Sequence, residues 1–333
     1  MDIINYDLEC IIFILIGIAM LILLTLLSVI ILGIILAIFF LFLLPYICYK
    51  KTFYSKNSDK DPTILPKDDI YVKHKDIILK DISDARKLNP IDLEIESFDG
   101  LKLHAKYYEY DKDSPIEIMF HGYRGNAERD LSTGVKRAAL CKRSVVLVDQ
   151  RASGNSEGHV ISFGINERFD CALWAKYVCK KFGEHRKIIL TGISMGAATV
   201  LMASNLELPK NVIGILADCP YNKPKDIIIK VVKDMHLSPK VFYPFIKLGA
   251  RLYGHFDLEA SSPVESVKET SVPVILIHGT SDDYVPCHMS EKLYDSCVSK
   301  KKLVTIEEGE HGTSYLKDPD KYIKELEEFV SSL

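Results

Sequence analysis

Hydrophobic and polar positions divide this chain into three stretches. From Ile11 to Leu44, 34 consecutive positions carry no charge, and only Thr25 and Ser28 are polar. That exceeds the ~20 apolar residues a membrane-crossing helix needs, so the run reads as a transmembrane helix. It is too long for a secretory signal core and no small-residue cleavage site comes after it, so an uncleaved anchor is expected. As a straight helix it would measure ~51 Å against a ~30 Å hydrocarbon core. Tilt alone does not absorb that excess, so the run is expected to protrude from the bilayer or to bend near Gly33. Two full spans do not fit. From Tyr54 to Pro90 the chain is polar, and Asp76–Leu88 reads as a short helix on the edge of the C-terminal domain.

The third stretch alternates strands and helices. Leu93–Phe98 and Leu101–Tyr108 alternate in polarity about Asp99-Gly100, the signature of a β-hairpin. Short runs rich in Ile and Val come next, at Ile116–Phe120, Val145–Asp149, Ile188–Gly192, Val212–Ala217, Val274–His278 and Leu303–Glu307. Such runs suit parallel strands buried on both faces. Helical stretches separate most of them, at Ala127–Cys141, Asn166–Phe182, Met195–Leu206, Met289–Val298 and Asp320–Ser331. The expected fold is α/β, a mostly parallel, doubly wound sheet of about eight strands behind an N-terminal transmembrane helix. The expected organisation is a tail at 1–10, an anchor at 11–44, a linker and edge segment at 45–90, and an α/β domain at 91–333 with a cap insertion at about 220–262.

Charge changes the picture in two ways. The 333 residues carry 42 basic and 45 acidic side chains, a balance that points to no nucleic-acid partner. Asp2, Asp7 and Glu9 precede the apolar run, whereas Lys50, Lys51, Lys56 and Lys60 lie beyond it. The positive-inside rule then makes the chain single-pass with its α/β domain in the cytoplasm; a type II anchor with the domain outside is the alternative. The eight cysteines form no C-x-x-C and no metal-ligand spacing, so neither a metal nor a cofactor is expected. Cys141, Cys171 and Cys179 read as small core residues.

Sites in such sheets lie at the carboxyl ends of strands. Gly192-Ile193-Ser194-Met195-Gly196 joins a strand to a helix, and flanking glycines leave Ser194 clear on a sharp nucleophile turn. A developing oxyanion needs two backbone donors. The Met195 N–H supplies one, and the Tyr123 N–H, from the loop Phe120-His121-Gly122-Tyr123-Arg124-Gly125-Asn126, supplies the other. His121 is read as a packed histidine. In Asp149–Gly158, Asp149 and Arg151 are expected to pair and stiffen the loop. An acid should come after the nucleophile in sequence, and Asp282, Asp283 and Asp218 all qualify by position. His311, the only histidine after His288, sits in a glycine-flanked loop after the last strand and is the expected general base.

Taken together, HGYRGN (121–126), DQRASGNSEG (149–158), GISMGA (192–197), ADCPY (217–221), HGTSDDYVP (278–286) and GEHG (309–312) resemble the serine-aminopeptidase-like and monoacylglycerol-lipase-like α/β-hydrolases. The resemblance covers about Leu93 to Leu333. Its HG-x-x-D-x-x-V-P loop implies Asp282, not Asp283, as the acid. The family's D-x-R-G-x-G-x-S loop departs here, where Ala152 and Ser153 replace Gly and the usual His. Membrane-anchored members that the chain resembles include lipid esterases and protein depalmitoylases.

The expected activity is hydrolysis of carboxylic esters or thioesters, acyl or lipid-like, by Ser194, Asp282 and His311. A peptidase with the same residues is an alternative, and a silent membrane scaffold is an alternative of another class. In the cap, Phe242, Tyr243, Phe245, Tyr253 and Phe256 either line an acyl groove or bury the cap on the domain.

Overall fold

The structure, a computed structural model, describes residues 2–56, 61–66 and 69–333; Lys60, one of the four flanking lysines, lies outside the described residues. Helix α1 (Asp2–Ile38) passes through one π-helical turn (Phe39–Leu43) into α2 (Leu44–Thr52). Among the described residues, one helix, Cys10–Thr52, is long and apolar enough to cross a membrane. Its irregularity falls at 39–43, not at Gly33. Pro45 accounts for the position: it has no N–H and its ring crowds the carbonyl four residues back. The wider turn, in which the Leu44 N–H donates to the Phe39 carbonyl, relieves that crowding.

After α3 (Asp69–Lys73) and α4 (Lys75–Arg86) come β1 (Ile91–Glu96), β2 (Lys102–Tyr108), β3 (Ile116–Phe120), α5 (Ala127–Leu140), β4 (Ser144–Val148) and α6 (Glu167–Phe182). Next are β5 (Ile188–Ile193), α7 (Met195–Ala203), β6 (Val212–Asp218), α8 (Pro224–Asp234), α9 (Pro239–Tyr253) and α10 (Pro263–Ser266). The chain ends with β7 (Val274–Gly279), α11 (His288–Ser296), β8 (Lys301–Ile306), α12 (Ser314–Lys317) and α13 (Pro319–Ser331). The strands form one sheet in the order β1-β2-β4-β3-β5-β6-β7-β8. The hairpin β1–β2 joins it antiparallel, and the other six strands are mutually parallel. This is the α/β-hydrolase fold, with the eight mostly parallel strands that the alternation of elements predicts.

Successive strand residues face opposite layers, so fully apolar strands need helices on both sides. Ile118 and Phe120 pack with Trp174 of α6 and Val200 of α7. Met119, between them, packs with Leu131 and Val135 of α5. The chain leaves β3 for β4 on one side and returns to β5 on the other. Their carboxyl ends therefore diverge into a crevice, the usual ligand position in open α/β sheets.

Two polar arrangements stiffen the frame. Glu117, wholly buried on β3, meets Arg137 at 2.5 Å and Arg143 at 2.7 Å. Burial raises its pKa, but the two guanidinium charges outweigh burial and hold it at about 2. Arg151 does not pair with Asp149. It bonds Asp170 at 2.6 Å and Asp99 at 2.9 Å. Asp149 instead accepts the N–H groups of Ala127 and Asn155, donors that α5 and the loop leave unpaired, so its oxygens are already committed.

The segment after the apolar run packs on the domain. Phe53 is fully buried and meets Phe256 at 5.2 Å between ring centroids. The Phe53 carbonyl accepts the Ile161 N–H, and Ser55 donates to the His159 carbonyl. Helix α2 lies along α9, where a Cβ on Gly249 would stand 2.4 Å from the Pro45 carbonyl oxygen. Two more cap aromatics are spent here: Phe245 stacks on Phe40 and Tyr253 packs on Tyr46 and Tyr49.

Stability measurements test both features. Glu117→Leu strands two buried guanidinium groups and should cost about 3–5 kcal/mol in chemical denaturation, as unpaired buried charges do; a loss under 1 kcal/mol contradicts that role. A chain begun at Tyr54 loses Phe53 and all of α2, and burial of one such side chain alone contributes about 1.5–3 kcal/mol. It should melt below a chain begun at Leu44. Equal melting temperatures would show α2 to be dispensable.

Candidate active site

Ser194 occupies the turn between β5 and α7 with φ 55° and ψ −115°, a conformation costly for a residue with a Cβ. The surroundings hold it there. Its N–H donates to the Asp218 carbonyl at 2.8 Å. At Gly196 a Cβ would stand 2.0 Å from the Phe120 carbonyl oxygen, so the turn packs directly on the end of β3. Parallel register puts Phe120 opposite Gly192, which brings the loop at 121–126 beside the serine. A Cβ on Gly122 would lie 3.6 Å from that of Ser194.

The structure brings three of the sequence-derived residues into one chain of hydrogen bonds. Ser194 Oγ lies 2.9 Å from His311 Nε2, and His311 Nδ1 lies 2.7 Å from Asp282 Oδ2. Asp282 Oδ1 accepts the N–H groups of Tyr284 and Val285 at 3.0 and 2.7 Å. Burial raises the Asp282 pKa, but hydrogen bonds from His278 and His311 outweigh it and leave the carboxyl at about 2. Asp283, the competing acid, is exposed, and its carbonyl receives Lys230. Asp218, the third candidate, is buried and accepts Ser314 Oγ at 3.1 Å; burial pushes its pKa up to about 6. It does not reach the imidazole chain as a partner.

Met195 opens α7, whose first N–H groups have no intrahelical acceptor. Tyr123 stands in the neighbouring loop. Its hydroxyl donates to the Thr52 carbonyl at 2.7 Å and accepts from Arg124 Nε. Arg124 in turn reaches the carbonyls of Lys51 and Tyr54. The end of α2 thus fixes this loop. His121 is packed as expected: fully buried, it donates from Nδ1 to the Gly122 carbonyl and accepts the Gln150 N–H at Nε2. Burial lowers its pKa, which suits this neutral tautomer.

Sequence reasoning missed His278. It lies 3.3 Å from Asp282 and bonds Ser290 and the Val285 carbonyl, bracing the acid from beneath. Its place at the buried end of an apolar strand was the available signal. Cys219, Asp282 and His311 offer donor atoms within 4.8 Å of one another. Burial keeps the Cys219 thiol protonated, and both imidazole nitrogens are engaged, so a cation would have to break the Ser194–His311–Asp282 chain.

A cavity of about 800 Å³ opens at Ser194. Its apolar walls include Tyr71, Ile78, Met119, Leu131, Ile193 and Leu316, with Asp218, Arg137 and Tyr322 also lining it. None of the five cap aromatics lines it. One wall comes from α3–α4, where Tyr71 donates to Asp130 at 2.9 Å; no sequence motif marks that segment.

Residues 162–332 match the prolyl oligopeptidase family, Peptidase S9. The uncharacterized protein YqkD of Bacillus subtilis (strain 168) is 28% identical over 191 residues, 57% of this chain and 63% of that protein. The lysophosphatidylserine lipase ABHD12 of Danio rerio is 25% identical over 212 residues, 60% of this chain and 52% of that protein. The chain therefore spans between half and two thirds of these relatives. The solved Pyrococcus furiosus esterase Pf2001 shares the fold, with a TM-score of 0.62 at 22% identity over 76% of this chain and 93% of that one.

Asp218 makes stability depend on pH. Its folded pKa of about 6 exceeds the ~3.9 of an unfolded aspartate. Between those values the fold keeps a proton that the unfolded chain has lost. That stabilisation is full below about pH 4 and disappears as pH rises through about 6. The melting temperature of Asp218→Asn minus that of wild type should therefore rise from pH 4 to pH 7; a difference that stays flat or falls contradicts this.

Proposed function

The chain belongs to the prolyl oligopeptidase family of α/β-hydrolases, and on that footing we propose that it is a membrane-anchored serine hydrolase of acyl esters or thioesters. The observation that carries this reading is the chain Ser194–His311–Asp282, at 2.9 and 2.7 Å, beside a largely apolar cavity. Ser194 Oγ attacks the carbonyl while His311 Nε2 takes its proton. Asp282 holds the Nδ1–H tautomer and stabilises the imidazolium. The N–H groups of Met195 and Tyr123 receive the oxyanion. His311 then protonates the leaving alkoxide or thiolate. Water, deprotonated by the same imidazole, releases the acid and restores Ser194. The cycle balances with water as the only co-substrate.

The substrate class rests on the cavity and the anchor. A volume of about 800 Å³ lies within the ~300–1,000 Å³ range of ligand pockets, and its apolar walls suit an acyl chain. The helix Cys10–Thr52 would hold the site close to lipid, with Lys50, Lys51 and Lys56 favouring a cytoplasmic domain. The similarity to a lysophosphatidylserine lipase supports the same class. The family's name gives peptidase activity as the second reading. The cavity's carboxylates do not favour it as amine binders: Asp130 is held by Arg129 and Tyr71, and Asp218 is bonded to Ser314.

The test is a series of esters from acetyl to palmitoyl, with a palmitoyl thioester and an aminoacyl amide. Longer acyl groups should show the higher kcat/KM. Ser194→Ala should lower it by about 10³-fold or more, as loss of a nucleophile does. Leu131→Trp, which fills the cavity, should penalise palmitoyl more than acetyl. Equal turnover of acetyl and palmitoyl would remove the acyl-chain reading, and turnover of the amide alone would favour the peptidase.

A further inference from the structure

Helices α2 and α9 run side by side in the same direction. Phe40 stacks on Phe245, the Pro45 carbonyl abuts Gly249, and Tyr46 and Tyr49 pack on Tyr253. Each step of four or five residues up the anchor matches four up the cap helix. Extending that register downward at ~1.5 Å per residue puts Val241 ~6 Å below Phe245, level with Leu36. Leu36 lies inside the apolar run, eight residues before its last member, Leu44. The start of α9 and the turn before it are therefore at the depth of the anchor's own apolar surface.

The exposed residues there match that depth. Along α9 the outward face carries Val241, Pro244, Leu248 and Leu252 at helical spacing, with Val241 52% and Leu252 40% exposed. The turn between α8 and α9 adds Met235, 62% exposed, and Leu237. Lys233 and Lys240 flank these residues, and both are exposed. Beside the cap, Leu41, Phe42, Tyr46 and Ile47 of the anchor are exposed as well. The exposed apolar surface from Ile11 to Ile47 would extend ~55 Å, longer than the ~40–45 Å of a whole bilayer with its headgroups. Tilting is one way the bilayer takes up a helix this long, and tilting toward α9 covers both surfaces at once.

We propose that the cap is a second membrane-contacting element, in which the start of α9 and the α8–α9 turn enter the bilayer interface beside the anchor. Met235, Leu237 and Val241 enter the acyl-chain boundary, Leu252 stays shallower, level with the end of α2, and Lys233 and Lys240 meet lipid phosphates. This rests on reading Cys10–Thr52 as a membrane span.

The native chain has a single tryptophan, Trp174, buried in the core. Full-length Val241→Trp, Leu252→Trp, Ile22→Trp and Val298→Trp would be reconstituted in phosphatidylcholine–phosphatidylglycerol vesicles with or without brominated acyl chains. Bromine should quench the added emission at Ile22 strongly, at Val241 by at least half as much, at Leu252 more weakly than at Val241, and at Val298 not at all. Quenching at Ile22 with Val241 at the Val298 level overturns the cap contact and leaves the span intact. Absence of quenching at all positions overturns the span and the cap contact together. Blue-shifted but unquenched emission at Val241 places a second copy over the stripe and also overturns it. Should Val241→Trp fail to fold, seen as a red-shifted Trp174, Met235→Trp reads the same position.

Discussion

At Gly196 the first turn of α7 lies so close to the last carbonyl of β3 that no Cβ fits between them. That contact depends on the order of strands, because β3 and β5 are neighbours whose chains leave in opposite directions. It puts the loop after β3 next to the serine, on a turn where Ser194 has a positive φ. The later strands then deliver the remaining groups to the same edge. β7 ends beneath Asp282, and the loop after β8 carries His311 across to both partners. No single local sequence could assemble this set. The parallel sheet does so by ending all its strands along one line.

Electrostatics depend on the same geometry. Asp218 ends β6 and Asp282 lies in the loop after β7; both are buried, yet their pKa values move in opposite directions. Asp282 receives two backbone N–H groups and two imidazoles, enough to keep a charge that burial alone would neutralise. Asp218 receives hydroxyl groups, which do not compensate burial. One carboxylate can therefore stabilise an imidazolium, while the other remains a structural acid that accepts the Ser194 N–H through its carbonyl.

Much of this was legible in the sequence because it depends on local pattern. Short apolar runs alternating with amphipathic stretches specify the sheet. Gly192 and Gly196 around Ser194, and the lone His311 after the last strand, mark the chemistry. What was not legible depends on contacts between distant segments. The pairing of Arg151 with Asp99 and Asp170 needs the hairpin and α6 brought together in space. The destination of the cap aromatics needs the register of α9 on α2, which no spacing within either helix encodes. Sequence position leaves Asp218, Asp282 and Asp283 all open and only the family resemblance implies Asp282; which of them approaches His311 depends on how the loops after β7 and β8 meet in space. The role of Pro66 and of α3–α4 as a cavity wall had no signal, since polar linkers and polar-faced straps look alike.

The link between anchor and chemistry is physical. Thr52, the last residue of α2, accepts from Tyr123, so the helix that is proposed to enter the membrane also braces the loop proposed to bind the oxyanion. Whether this assembly acts through a serine nucleophile is decided by covalent trapping. A fluorophosphonate would be incubated with the full-length protein in vesicles, beside Ser194→Ala and His311→Ala, and the adduct mapped by peptide mass. One phosphonyl group on Ser194 of the wild type, absent from both variants, is the predicted result. A folded wild type that stays unlabelled, or label on any other residue, would contradict it.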